Sequence, residues 1–251
     1  MYGWRALIGL IQPSGGPVAD EEFRMAAPEG VSFVATRMYV EEVSPKGLEG
    51  MLTQVERAAR EIAIMKADCL VLCGTPSGFF KGHSFNLELT ERLREASGLP
   101  SVTMATAVVE ALHHLKLRRI AVATAYTEEL DSLLRDFLEE AGFAVPAMKG
   151  LRQRFNWDIQ RLPPAAAYRL TKDVAKEVRD ADGIFISSGA LRTFEVIDLL
   201  ERDLGLPVVS SNQAGLWAGL RLAQVRESVP GFGRLLKTLG DGEAADPLSR
   251  R

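Results

Sequence analysis

The stretch Asp68-Cys69-Leu70-Val71-Leu72-Cys73-Gly74-Thr75-Pro76-Ser77-Gly78 decides the fold. Its apolar run has no polar alternation, so it reads as a strand buried on both faces, the pattern of a parallel sheet covered by helices. The run ends in a glycine-containing turn with small polar groups. Open α/β sheets bind ligands just beyond the carboxyl ends of parallel strands, which makes this turn a candidate site wall. A later stretch, Asp182-Gly183-Ile184-Phe185-Ile186-Ser187-Ser188-Gly189-Ala190-Leu191, has the same form.

Outward from these two, strands alternate with helices. Strands are expected at 6–11, 31–40, 69–73, 101–104, 119–126, 143–151, 183–187 and 205–211. Ser44-Pro45 is an N-cap with proline at the first helical position, opening one amphipathic helix over 46–67. Further helices are expected at 84–96, 105–116, 165–179 and 194–203, with one more capped by Thr127 and stopped by Gly142. Segment 12–17 is a loop, 152–164 is an irregular piece suited to a lid or pocket wall, and the tail from Gly240 is polar and frayed. Alternation of this kind implies a parallel, helix-covered sheet. Gly98-Leu99-Pro100-Ser101-Val102-Thr103 also matches Gly205-Leu206-Pro207-Val208-Val209-Ser210. The expected architecture is therefore α/β, with two pseudo-symmetric lobes, each a short parallel sheet covered by helices, and a site in the cleft between them. Residues 1–115 with 212–251 form the first lobe and 116–211 the second.

At 251 residues, 47% hydrophobic and 25% charged with a net charge of −3, the chain has an ordinary globular composition. No basic run or aromatic-plus-basic platform recruits nucleic acid. No apolar run reaches membrane-spanning length, and the N-terminus lacks a signal-peptide pattern. The two cysteines, Cys69 and Cys73, are too far apart along an extended strand to bridge. Reduced thiols suit a cytoplasmic protein.

There is no nucleotide-binding glycine fingerprint and no Walker lysine motif. Of three histidines, His113 and His114 are neighbours on a helix that point different ways, which argues against a zinc site, and His83 reads as a loop residue or helix-start hydrogen-bonder. The strand-end turns say more. Thr75, Ser77 and Ser188, with the backbone N–H groups of Gly74, Thr75 and Gly189, are neutral donors that can converge on a carboxylate or an enolate oxyanion. Tyr126, at another strand end, adds a phenolic donor or packs as a plain aromatic. Arg192, Arg152, Arg154 and Lys81 are candidate cations for an acidic substrate, or solvated loop residues.

Gly74-Thr75 followed by Phe79, Gly82, Phe85-Asn86, Glu95-Ala96 and Gly98-Leu99-Pro100 resembles the arylmalonate decarboxylase family. So do Ala123-Thr124-Ala125-Tyr126, Ser187 with Gly189, Pro207-Val208-Val209-Ser210-Ser211, Ala214-Gly215, Trp217, Gly231 and Gly233-Arg234-Leu235. The resemblance covers nearly the whole chain. It implies membership of the cofactor-independent aspartate/glutamate racemase superfamily, to which maleate isomerase is related. Carried over by position, Thr75, Tyr126 and the Gly189 N–H bind carboxylate and stabilise an enediolate, and Pro13, Gly74, Pro76 and Ser77 complete the substrate-binding set.

Three positions depart from the family pattern. The family's catalytic cysteine falls at Ser188, its second nest hydroxyl at Pro76, and its pocket tyrosine at Leu48. Serine is a far weaker acid than a thiol, whose ordinary pKa is ~8.5. Cys73 lies one residue before the position of the first-lobe cysteine in racemases and maleate isomerases. It is either a thiol activated by helix N-terminal N–H groups or a small buried hydrophobe. The expectation is an enzyme, with catalytic candidates Ser188 and Cys73, that decarboxylates a substituted malonate of aryl or alkenyl type without cofactor or metal. The alternatives are a maleate-type isomerase or racemase using Cys73, and a non-catalytic carboxylate-binding homologue. A small carboxylate is the expected partner, with neither nucleic acid nor membrane, in a monomer or small homo-oligomer.

Overall fold

Asp68 and Asp182, which open the two matched stretches, do the same work in two separate sheets. The computed structural model describes residues 2–240. In it the Asp68 carboxylate accepts the Leu7 N–H at 2.7 Å, and the Asp68 N–H donates to Leu7 O at 2.8 Å. The Asp182 carboxylate accepts from Arg118 N and Arg119 N at 2.9 and 3.1 Å, and its N–H donates to Arg119 O at 2.9 Å. Each aspartate pins the start of a strand to its neighbour.

The first sheet holds β1 (Ala6–Pro13), β2 (Val31–Met38), β3 (Cys69–Leu72) and β4 (Ser101–Thr103), all parallel, in the order β2-β1-β3-β4. The second holds β5 (Arg119–Thr124), β6 (Ala144–Gly150), β7 (Gly183–Ser187) and β8 (Val208–Ser210), again parallel, in the order β6-β5-β7-β8. The two orders are the same pattern, so the sequence repeat is a repeat of structure. β3 and β7 are buried at every residue, which is why their apolar runs do not alternate.

The helices of the first half are α1 (Val18–Met25), α2 (Pro45–Leu52), α3 (Val55–Ile64), α4 (Pro76–Phe79), α5 (Gly82–Ser97) and α6 (Met104–His114). Those of the second are α7 (Glu128–Glu140), α8 (Asn156–Gln160), α9 (Pro164–Lys176), α10 (Phe194–Leu204), α11 (Ser211–Leu222) and α12 (Gly233–Lys237). The repeat extends to their ends. α5 and α10 stop on Gly98 (φ +69°) and Gly205 (φ +71°), in the left-handed region glycine enters without a Cβ clash. Two residues on, Pro100 O and Pro207 O accept Leu70 N and Ile184 N, both at 2.9 Å. Thr103 then caps α6 through Thr106 N, and Ser210 caps α11 through Gln213 N.

α6 and α11 pack against each other between the sheets, and α11 also touches β3. α11 is buried from Ser211 to Leu220, polar residues included. Gly215 faces Met104 and Phe23, and a methyl on Gly219 would come within 3.0 Å of Val71. This helix therefore ties the C-terminal part of the chain to the first sheet. Among the described residues no helix is long and apolar enough to cross a membrane.

The structure departs from the sequence expectations in several places. The helix expected over 46–67 is two, α2 and α3. The Gln54 side chain bonds both backbone groups of Tyr39 at 3.1 Å, and the Thr53 hydroxyl donates to Gly50 O at 2.7 Å. Such local side-chain bonds compete with the helix ladder and end it. α1, α11 and α12 have no counterpart in the expectations. The turn after β3 is the short helix α4, with Pro76 at its first position. Segment 152–164 contains α8. The frayed tail expected after Gly240 lies outside the described residues.

Candidate active site

β3 leaves its sheet at Cys73 and turns at Gly74, whose φ of +94° suits glycine and strains any residue with a Cβ. β7 leaves the other sheet at Ser187 and turns through Ser188 and Gly189. The two turns face each other: a methyl built on Gly189 would lie 3.9 Å from the Gly74 backbone nitrogen. Among the described residues the N–H groups of Gly74, Thr75 and Gly189 have no acceptor, so three donors are free at this junction.

Above them is a cavity of about 590 Å³ including its open mouth. Pro13, Cys73, Gly74, Pro76, Ser77, Tyr126, Ser188 and Gly189 all line it, so eight of the nine residues singled out from sequence share one chamber. Thr75 is the ninth and lies beneath the floor. Its hydroxyl is 2.6 Å from Ser211 Oγ and also bonds Tyr126, whose phenol oxygen is 3.3 Å from Ser187 Oγ. The Thr75 hydroxyl is thus engaged with Ser211 and Tyr126 rather than with the cavity. Burial pushes the Tyr126 phenol up, which keeps it protonated and able to donate.

Ser77 is buried, lines the cavity and has no hydrogen-bond partner for its hydroxyl among the described residues. Ser188 is equally buried, and its Oγ accepts the Ala190 N–H at 3.3 Å. Cys73 also faces the cavity, but its thiol is not activated as helix N–H groups would activate it. Burial pushes it well above the ordinary thiol value, and the Asp20 carboxylate raises it further, against a smaller opposing effect of Arg37. Of the two readings of Cys73, burial favours the small buried hydrophobe over the activated thiol. Both cysteines are free.

The four candidate cations do not serve the cavity either. Arg192 pairs with Glu195, Arg152 with Asp131 and Glu128, Arg154 with Glu42, and Lys81 with Glu49. None of them lines it, and no charged side chain among the described residues does. His83 lies in the first turn of α5 but does not cap it: its Nε2 is 2.8 Å from Phe137 O of α7 and its ring stacks on that phenylalanine.

Sequence reasoning missed the upper wall. Val40, Val43, Leu48 and Met51 bring an apolar face from the end of β2 and from α2, and Gln12 and Asn156 add neutral amides. Asn156 comes from α8, so the irregular segment is a pocket wall, tied to the segment between β2 and α2 by Val43 N donating to Arg154 O at 2.8 Å. Leu48 is the exception, since the family's pocket tyrosine falls there, and Ser44-Pro45 signals the start of the helix that carries it. Sequence reasoning also missed Glu22 and Asn212, buried polar residues behind Gly189.

A neutral donor floor under an apolar chamber can hold one carboxylate by hydrogen bonds while its substituents rest against hydrocarbon. The family model for arylmalonate decarboxylase matches residues 8–236. The chain is 35% identical over 229 residues to arylmalonate decarboxylase of Bordetella bronchiseptica, covering 91% of this chain and 95% of that protein. It is 29% identical over 243 residues to maleate isomerase of Nocardia farcinica, covering 92% and 95%. Among solved structures, a liganded arylmalonate decarboxylase variant, with one glycine changed to cysteine and one cysteine to serine, superposes with a TM-score of 0.86 at 35% identity, covering 92% of this chain and 98% of that one.

Proposed function

The chain belongs to the arylmalonate decarboxylase family, and on that premise we propose that it decarboxylates a malonate carrying an apolar α-substituent, without cofactor or metal. The observation that carries this reading is the pairing of three free N–H groups with an uncharged, apolar chamber. One carboxylate is held by the N–H groups of Gly74, Thr75 and Gly189 and by the Tyr126 phenol. The other sits against Val40, Val43, Leu48 and Met51, where loss of its hydration favours departure as carbon dioxide. The C–C bond breaks, its electron pair passes into the enediolate of the held carboxylate, and the floor donors stabilise that charge. Ser188 protonates the α-carbon from the side of the second turn, and its alkoxide recovers a proton from solvent water.

Isomerisation of a maleate-type diacid is the second reading, favoured by the place of Cys73 in the cavity and by the maleate isomerase relatives. Two features weigh against it: burial, which pushes the Cys73 thiol up, and the absence of a cation beside the cavity among the described residues. Incubation with phenylmalonate, maleate and aspartate in deuterated water separates the possibilities. Carbon dioxide and α-deuterated phenylacetate are expected from phenylmalonate. Fumarate from maleate, or deuterium in aspartate, with no carbon dioxide would replace this reading with the second. Thermal stabilisation by phenylmalonate without any product would identify a carboxylate-binding homologue.

A further inference from the structure

The carboxyl of Glu22 takes no part in the chemistry above, yet it joins the two lobes behind the turn that carries Ser188. From α1 it enters the N-terminus of α10, where Oε1 accepts the Thr193 N–H and, at 2.9 Å, the Phe194 N–H, with the Thr193 hydroxyl at 3.2 Å. These are N–H groups that a helix start leaves without internal acceptors. Its other oxygen, Oε2, accepts from Asn212 Nδ2 at 2.6 Å. The same nitrogen donates to Gly189 O at 3.1 Å. Asn212 is fully buried, and its Oδ1 has no partner among the described residues. The two acceptors flanking the nitrogen therefore decide which way the amide points, and the orphaned oxygen is the cost of that choice.

The peptide plane carries the effect onward. The Gly189 carbonyl and the Ala190 N–H belong to one planar unit and point to opposite sides. Holding the carbonyl on Asn212 aims the Ala190 N–H at Ser188 Oγ, where it donates at 3.3 Å. With that lone pair occupied by a donor, the serine's own proton is left to point elsewhere, and the N–H stabilises the oxygen once the proton has gone.

We propose that Glu22, acting through Asn212 and the Gly189–Ala190 peptide, is the positioning residue that makes Ser188 a usable proton donor. The proposal rests on the reading of Ser188 as the group that protonates the enediolate. In that step the Ser188 O–H bond breaks, a C–H bond forms with the enediolate electron pair, and the alkoxide left facing the Ala190 N–H is reprotonated by water.

Glu22→Gln tests it, because the amide keeps an oxygen for the α10 N–H groups and sets an NH₂ group against Asn212. Two measurements are needed: kinetics on phenylmalonate in wild-type and Ser188→Ala backgrounds, and amide hydrogen exchange at Ala190 by NMR. The expected result is a fall in kcat on the order of tenfold with little change in KM, the size of one hydrogen bond. That fall should vanish when Ser188 is already alanine, because the two act as one unit. Exchange at Ala190 should quicken while the protection of the sheets is unchanged. An equal loss of activity in both backgrounds, or unchanged exchange at Ala190, would overturn the proposal. If wild type does not turn over phenylmalonate, the functional reading falls, and exchange at Ala190 still decides whether Glu22 positions this turn.

Discussion

The Thr75 hydroxyl lies 2.6 Å from the Ser211 hydroxyl, joining the end of a first-sheet strand to a helix that follows the last strand of the second. Tyr126 and Ser187 extend the chain of hydroxyls to the second sheet. The floor of the cavity is thus braced by buried hydrogen bonds between residues distant in sequence, and each hydroxyl orients the next.

Thr75→Val keeps the shape of the side chain and removes that brace. Tyr126 then loses one of its two partners, and Ser211 is left with a buried, unpaired hydroxyl. The expected outcome is a loss of about 1–3 kcal/mol in unfolding free energy, together with a fall in kcat for phenylmalonate as the phenol loses its aim. Denaturant melts and steady-state kinetics check this. A variant with wild-type kcat would remove the Tyr126 phenol from the list of enediolate donors.

Ser188→Cys supplies a stronger acid at the point where the carbon must be protonated. If protonation by a weak acid limits turnover, carbon dioxide release from phenylmalonate rises by roughly a hundredfold. No rise would mean that protonation is not the slow step, or that the proton comes from another direction.

The architecture was legible in the sequence because each sign of it was local. Unbroken apolar runs marked β3 and β7, Gly142 marked a helix end, and the repeated Gly-Leu-Pro marked the pseudo-symmetry. The floor of the site was legible for the same reason, since Gly74, Thr75, Ser188 and Gly189 are strand-end residues whose types announce a turn. What escaped were residues that act across long separations. Glu22 lies in an eight-residue helix with acidic neighbours that hide its periodicity, and it reaches Asn212 a hundred and ninety positions later. Nothing near either residue in sequence hints at the other. Met51 carries no signal of its own in the sequence, and tertiary packing sets it beside Leu48, Val40 and Val43 in the cavity wall.

Cys73→Ala separates the two candidate reactions. In the decarboxylase reading the thiol is a buried part of the wall, so the variant keeps its activity on phenylmalonate and loses about 1 kcal/mol of stability from the missing sulfur. In an isomerase the thiol is the nucleophile and activity on maleate disappears. Loss of phenylmalonate turnover in a variant that still folds would return Cys73 to the mechanism.

Glu22 also gives the protein a characteristic dependence of stability on pH. Burial outweighs its hydrogen bonds to Thr193, Asn212 and Phe194, and raises the carboxyl from 4.5 to about 7. Between these values the folded chain holds a proton that the unfolded chain has released, so stability falls as pH rises through this window and levels off above it. The ceiling on this contribution is about 3 kcal/mol, from the size of the shift. Asp131 and Glu201 are also raised by burial and push in the same direction, so the slope of wild type alone does not assign the effect. Glu22→Gln removes one titration and leaves those two. The difference in unfolding free energy between wild type and variant, measured in urea at pH 5 and pH 8, should therefore favour wild type more at the lower pH. A difference that does not change with pH would place the Glu22 carboxyl at its ordinary value in the folded protein.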